Sequence, residues 1–224
     1  MDVDFLQTLL LSFKLALVST VILLFICIFL AYILSFTNFI LKDFLQLISS
    51  MPLVLPPSVL GFYLLVAFSP QNAFGAFLEK YFDLRLVFSF EGLVLASIIA
   101  SLPFMLTPIQ SAFSAVPKNL IECSYTLGRG KFYTLLRIII PNSKIGILSG
   151  IIVSFAHTIG EFGVVMMIGG HIKGETLVAS IAVYDELDAL NYDLAHKYAF
   201  ILFVFSFALL FLLFLINKHL ERKK

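Results

Sequence analysis

Five stretches of this chain run apolar for about twenty residues each: residues 9–36, 44–68, 92–113, 145–169 and 198–216. Roughly 20 helical residues cross the hydrocarbon core of a bilayer. In lipid a backbone must satisfy its own polar groups, which leaves helices or a closed barrel. The runs do not alternate apolar and polar residues, so a barrel is excluded. The chain is 60% hydrophobic and only 13% charged, against about 25% charge in soluble domains. The reading is an all-α membrane protein with five transmembrane helices in a single transmembrane domain, 1–224. No long linker, low-complexity tract or internal repeat divides it. The first run exceeds the roughly 7–15-residue core of a signal peptide, with no small-x-small site behind it, so it is expected to be a retained span. Cys27 lies in that run and Cys123 in a polar stretch, which predicts no disulfide.

Net charge is +1, so bulk electrostatics select no partner, but the distribution of charge is informative. The connection 114–144 carries Lys118, Arg129, Lys131, Arg137 and Lys144 against Glu122 alone. The tail after the last run carries Lys218, Arg222, Lys223 and Lys224, and the first connection carries Lys42. By the positive-inside rule these segments face the cytoplasm. The alternate segments are acid-rich: Asp2 and Asp4; Glu79, Asp83 and Glu91; Glu175, Asp185, Glu186, Asp188 and Asp193. The pattern predicts an outer N-terminus and a cytoplasmic C-terminus. Within the last outer connection, "TLVASIAVYDEL" is amphiphilic enough for a short helix lying against the membrane.

The basic connection has internal punctuation. Pro117 suits a first helical turn. "PKNLIECSYTL" then reads as an amphipathic helix offering Leu120, Ile121, Tyr125 and Leu127 for apolar contacts. Gly128 ends it through positive φ, "KFYTLLRII" starts a second helix, and Pro141 breaks the chain before the next span. Such a bent pair, residues 117–137, fits either an interfacial anchor on anionic headgroups or a knob for a groove on a cytoplasmic partner. "GRGK" at 128–131 is not a phosphate loop. Tyr125 stands where the first glycine is required and Phe132 where Ser or Thr is required, so this chain is expected to bind no nucleotide.

Inside the spans, Pro52, Pro56 and Pro57 leave carbonyls without their helical donors. That is tolerated where protein or a water-filled cavity supplies partners, so the prolines are either packing kinks or part of a pathway. Pro103 and Pro108 invite the same two readings. His157 and Glu161 lie one turn apart in the fourth span, at a depth where ionisable residues usually face a bundle interior. His157 is either a neutral packing residue or part of a path. Glu161 either bonds backbone N–H groups near Gly160 and Gly163, holding a break in the helix, or shapes a gate. Gly160, Gly163, Gly169 and Gly170 allow close helix approach. His157, His171, His196 and His219 lack ligand spacing, so no metal site is expected.

Here the residues carry a resemblance. Glu122-Cys123-Ser124-xxx-Gly128-x9-Ile138-x-Ile140-Pro141 resembles the E-A-A-xxx-G-x9-I-x-L-P signature of ABC-importer permeases, with Cys123, Ser124 and Ile140 departing from it. "SMPLVLPPSVLGFYLL" and "SFAHTIGEFGVVMMIGG" are similar to segments of molybdate ABC-transporter permeases. The second is shared with sulfate permeases, and His157 stands where arginine is common. "KGETLVASIAVYD" resembles the region that follows, with Lys173 and Ser180 for prolines. The resemblance implies a type I ABC-importer permease fold whose residues 117–137 are coupling helices between spans 3 and 4. It implies residence in the cell inner membrane. Its implied partners are a second copy, two cytoplasmic ATP-binding subunits that use ATP and Mg, and a periplasmic molybdate-binding protein, with no nucleic acid and no cofactor in this chain. Sulfate and tungstate are the alternative substrates. A bare Glu161 would repel a tetrahedral dianion, and no arginine falls within a span, so selectivity is expected to rest with the binding protein. A stand-alone channel or secondary transporter would need paired intramembrane charges or inverted repeats, and the sequence displays neither. An intramembrane enzyme would have only His157 and Glu161 to work with.

Overall fold

A computed structural model describes residues 3–221. Among these residues every regular element is helical. Three unbroken helices are long and apolar enough to cross a membrane: α1 (Val3–Phe36), α5 (Phe90–Ser114) and α12 (Tyr192–Glu221). The other two apolar runs are broken. The second run becomes α2 (Lys42–Val54) and α3 (Pro57–Phe68), which meet at 116°. A short helix, α4 (Ala73–Phe82), follows and ends at Asp83 in the left-handed region.

Tandem prolines explain the sharp corner. The residue before a proline is driven out of the helical region by the ring. Leu55 precedes Pro56 and Pro56 precedes Pro57, and both are extended, with ψ 135 and 134°. Pro52, Pro103 and Pro108 are single prolines and lie inside continuous helices. The expected single span 44–68 is therefore an elbow, while the expected span 92–113 stays whole.

The basic connection folds as α6 (Lys118–Thr126) and α7 (Lys131–Thr134), then a π-helical turn over Leu135–Ile139 and the short α8 (Ile140–Asn142). A 75° corner leads into α9 (Lys144–Gly160). The chain turns at Ser143, two residues after Pro141, where the buried Ser143 Oγ donates to Ala112 O of α5 at 3.2 Å. After Glu161 and Phe162 the fourth run resumes as α10 (Gly163–Gly169). The connection before α12 carries α11 (Ala179–Asp188). This helix does not lie beside the bundle. Ala179 and Ile181 are fully buried, and the Ala179 N–H donates to Ser12 Oγ of α1 at 2.7 Å.

The core explains the order of layers. Leu15, Leu23, Cys27, Ala31 and Leu34 recur at three-, four- and eight-residue intervals on one face of α1, and all are buried against Leu93, Met105, Ile109 and Phe113 of α5. Helix α5 is the central post, since α1, α2, α9 and α10 all pack on it. A second cluster, with Phe68, Ala96, Ala100, Val164 and Ile168, fixes α3 and α10 to the same post. Helix α12 packs on α9 and α11 and leaves Phe203, Phe207 and Phe211 exposed, a face suited to lipid.

Candidate functional site

Two places gather the residues singled out in the sequence. The first is the basic elbow. Gly128 takes φ +74° with no atom near the position of a Cβ, so it ends α6 through backbone conformation rather than crowding. Ser124 is buried and its Oγ lies 2.8 Å from Thr134 Oγ1. Thr134 spends its own proton on Gly130 O at 3.1 Å, so Ser124 is the donor between them. This bond pins α6 to α7. Ile138 and Ile140 are half-buried, while Glu122, Cys123 and Pro141 are exposed. Of the four apolar contacts expected from α6, only Ile121 reaches the core; Leu120 and Tyr125 are exposed. The apolar tip, Leu127 at 72% and Phe132 at 74%, points away from the molecule, on a frame cross-braced from within.

The second place is where the broken runs face each other. Pro52, Pro57, His157 and Glu161 line one cleft of about 170 Å³ with Leu60, Ala100 and Phe104. Pro56 and Gly160 do not line it; both are exposed. Gly163 serves contact instead. A Cβ there would sit 2.6 Å from Pro57 Cβ, and one at Gly61 would sit 2.9 Å from Met167 Cβ. Helices α3 and α10, the second halves of both broken runs, therefore pack backbone to backbone.

Glu161 holds this junction with three oxygens. Its Oε1 accepts from Val164 N–H at 3.0 Å, capping α10. Its carbonyl accepts from Ser180 Oγ of α11 at 2.7 Å. Its Oε2 lies 3.5 Å from His157 Nε2. His157 Nδ1 lies 3.0 Å from Ser101 Oγ, and the ring stacks on Phe104 at 3.9 Å. The two titratable residues that the sequence placed one turn apart in this run are thus brought together by the structure. Ser101, Phe104, Thr158 and Ser180 were not singled out by sequence. A hydroxyl in an apolar helix gives the same signal whether it bonds its own turn, as Thr158 does to Ser154 O, or a neighbouring helix, as Ser101 does.

Residues 24–224 match the family model of the binding-protein-dependent transport system inner membrane component. The chain belongs to this family. It is accordingly a multi-pass inner-membrane permease subunit. Within the family it is 40% identical over 205 residues, 91% of this chain and 90% of the other, to the molybdenum transport system permease protein ModB of Azotobacter vinelandii. It is 28% identical over 181 residues to the sulfate transport system permease protein CysT of Salmonella typhimurium, covering 81% of this chain and 65% of the other. The crystal structure of an amino acid ABC transporter with histidines shares the fold at TM-score 0.63 and 20% identity, covering 96% of this chain and 94% of that one.

Proposed function

We propose that this chain is the membrane-spanning subunit of an ATP-driven importer for molybdate, delivered from outside by a binding protein. In this reading five spans cross the membrane, with α2–α3 as the second and α9–α10 as the fourth, the N-terminus outside and the C-terminus in the cytoplasm. Two copies enclose the path. Each seats its elbow in one cytoplasmic ATP-binding subunit, and that subunit, with ATP and Mg, carries out the only covalent chemistry. The observation that carries the mechanism is the elbow: a braced helix pair whose exposed tip is apolar, Leu127 and Phe132, and whose flanks carry Arg129 and Lys131. Helix-in-groove docking uses such anchors.

The cycle follows from differential contact. Closure of the ATP-binding subunits moves the two elbows, and each elbow joins α9 directly through the corner at Ser143. Since α9 packs on the central α5, a push at the elbow is delivered to the cleft at its far end. A partner shifts this equilibrium only by binding one state better than the other. The kinship to ModB over nine-tenths of both chains supports molybdate as cargo. The kinship to CysT supports sulfate as the second reading.

The test is uptake into proteoliposomes holding this chain with its ATP-binding subunits, the binding protein supplied outside. Labelled molybdate should enter only with internal ATP, and excess sulfate should compete weakly. Uptake without ATP-binding subunits would overturn the importer reading, and stronger competition by sulfate would reverse the substrate.

A further inference from the structure

Glu161 is the one Asp, Glu, Lys or Arg side chain that is buried among the described residues, at 8% exposure. It lines the cleft in which a dianion would have to pass it, and its neighbour His157 is the other titratable group there. The hydrogen bonds around them fix where protons sit. The Thr158 hydroxyl has one proton and gives it to Ser154 O at 3.0 Å. Ser101 Oγ, 2.8 Å from Thr158 Oγ1, must then be the donor in that pair. Ser101 has only lone pairs left for His157 Nδ1 at 3.0 Å, so Nδ1 carries a hydrogen. In a neutral ring Nε2 would then be a bare lone pair. It faces Glu161 Oε2 at 3.5 Å, while Oε1 is already an acceptor from Val164 N–H. Acceptor facing acceptor in a buried site is costly. One additional proton between Nε2 and Oε2 removes the conflict.

We propose that His157 and Glu161 hold one proton between them, so that the pair presents no net charge to the cleft, and that His157 is the charge-compensating residue that lets a dianion pass Glu161. Whether the proton sits on nitrogen or on oxygen, the sum is zero. The remaining lining residues are uncharged prolines, aliphatic side chains and Phe104, so nothing else in the cleft offsets the carboxylate. The inference rests on the reading of this chain as an oxyanion permease. It explains how a buried acid is compatible with anionic cargo: the Glu161 carboxylate caps α10 through the Val164 N–H, and His157 cancels its charge. His157 is a positioning and compensating residue here, not a ligand, because both ring nitrogens are engaged.

The test is a double-variant comparison in the assembled complex. His157→Gln removes the partner with which Glu161 shares the proton, so the carboxylate ionises alone, and uptake of molybdate should fall by roughly tenfold or more, since repulsion between charges a few ångströms apart is large outside bulk water. His157→Gln combined with Glu161→Gln removes both charges and should recover most of the uptake. If His157 served packing alone, the double variant would be no faster than H157Q, and that result overturns the proposal. Wild-type uptake in the same vesicles tests the functional reading separately. A second measurement depends on no transport: ring-nitrogen magnetic resonance of His157 and the carboxyl infrared band of Glu161, in the full-length chain in nanodiscs at neutral pH. The pair should show either a doubly protonated ring or a protonated carboxyl. A neutral ring beside an ionised carboxylate overturns the assignment whatever the cargo proves to be.

Discussion

At the scale of single residues, the elbow is where small side chains carry mechanical weight. Thr134 is fully buried and donates to Gly130 O, and it also receives the Ser124 proton. The two partners are therefore unequal. Ser124→Ala removes one donor and leaves Thr134 satisfied, costing about 1 kcal/mol. Thr134→Val strands the buried Ser124 hydroxyl, while Gly130 O keeps the Thr134 backbone N–H, and costs about 1–3 kcal/mol. The thermal midpoint of the purified complex should fall further for T134V than for S124A; the reverse order would mean the brace is not there. Gly128→Val addresses the same elbow through the backbone. A β-branched residue held at φ +74° costs roughly 1–2 kcal/mol. With open space around it, the variant should insert and fold but bind the ATP-binding subunit more weakly in co-purification. Sequence made Gly128 legible, because a glycine after an amphipathic run is an ordinary helix stop. It did not reveal Thr134, since a threonine inside "KFYTLL" looks like any other helical position until its partner on α6 is known.

At the scale of elements, prolines divide by company rather than by number. Pro103 and Pro108 look like Pro56 and Pro57 in the sequence, yet α5 runs 25 residues through the first pair while the second produces a 116° corner. A lone proline costs one hydrogen bond, but adjacent prolines force two consecutive extended residues, which no helix survives. The runs of apolar residues were therefore readable, and a kink at the prolines was one of the two readings they allowed, but which prolines would turn the chain was not. The Glu161 break is subtler, since no proline marks it; a buried carboxylate capping α10 holds it. Packing of α3 against α10 gives the element-level prediction. Gly163→Ala places a methyl against Pro57 and should lower the thermal midpoint by the equivalent of about 1–3 kcal/mol, as overpacking does. Gly160→Ala, three residues away with nothing within 4 Å, should change it little. Equal effects at both positions would mean that α3 and α10 do not approach each other as described.

At the scale of the whole molecule, the reading rests on which end of the bundle meets the cytoplasm, and the chain carries its own reporter for this. It has two cysteines. Cys27 is fully buried in the α1–α5 core, with its Sγ 3.9 Å from Leu102 O, and burial pushes any modification there out of reach of a polar reagent. Cys123 is exposed on α6. A membrane-impermeant maleimide applied to the wild-type chain therefore reads one position, with Cys123→Ala as the blank. In the proposed topology Cys123 lies on the cytoplasmic side, as the positive-inside rule expects of its basic neighbours. Inside-out vesicles should label and right-side-out vesicles should not. Adding the ATP-binding subunit should protect Cys123, because its neighbours Glu122 and Ser124 belong to the signature carried by the elbow and its face is open. Labelling from the outer side would invert the topology and remove the elbow from the motor. Labelling from the inner side without protection would keep the topology but detach the motor from the elbow. The same two-cysteine arrangement thus separates the orientation of the bundle from the coupling that the orientation makes possible.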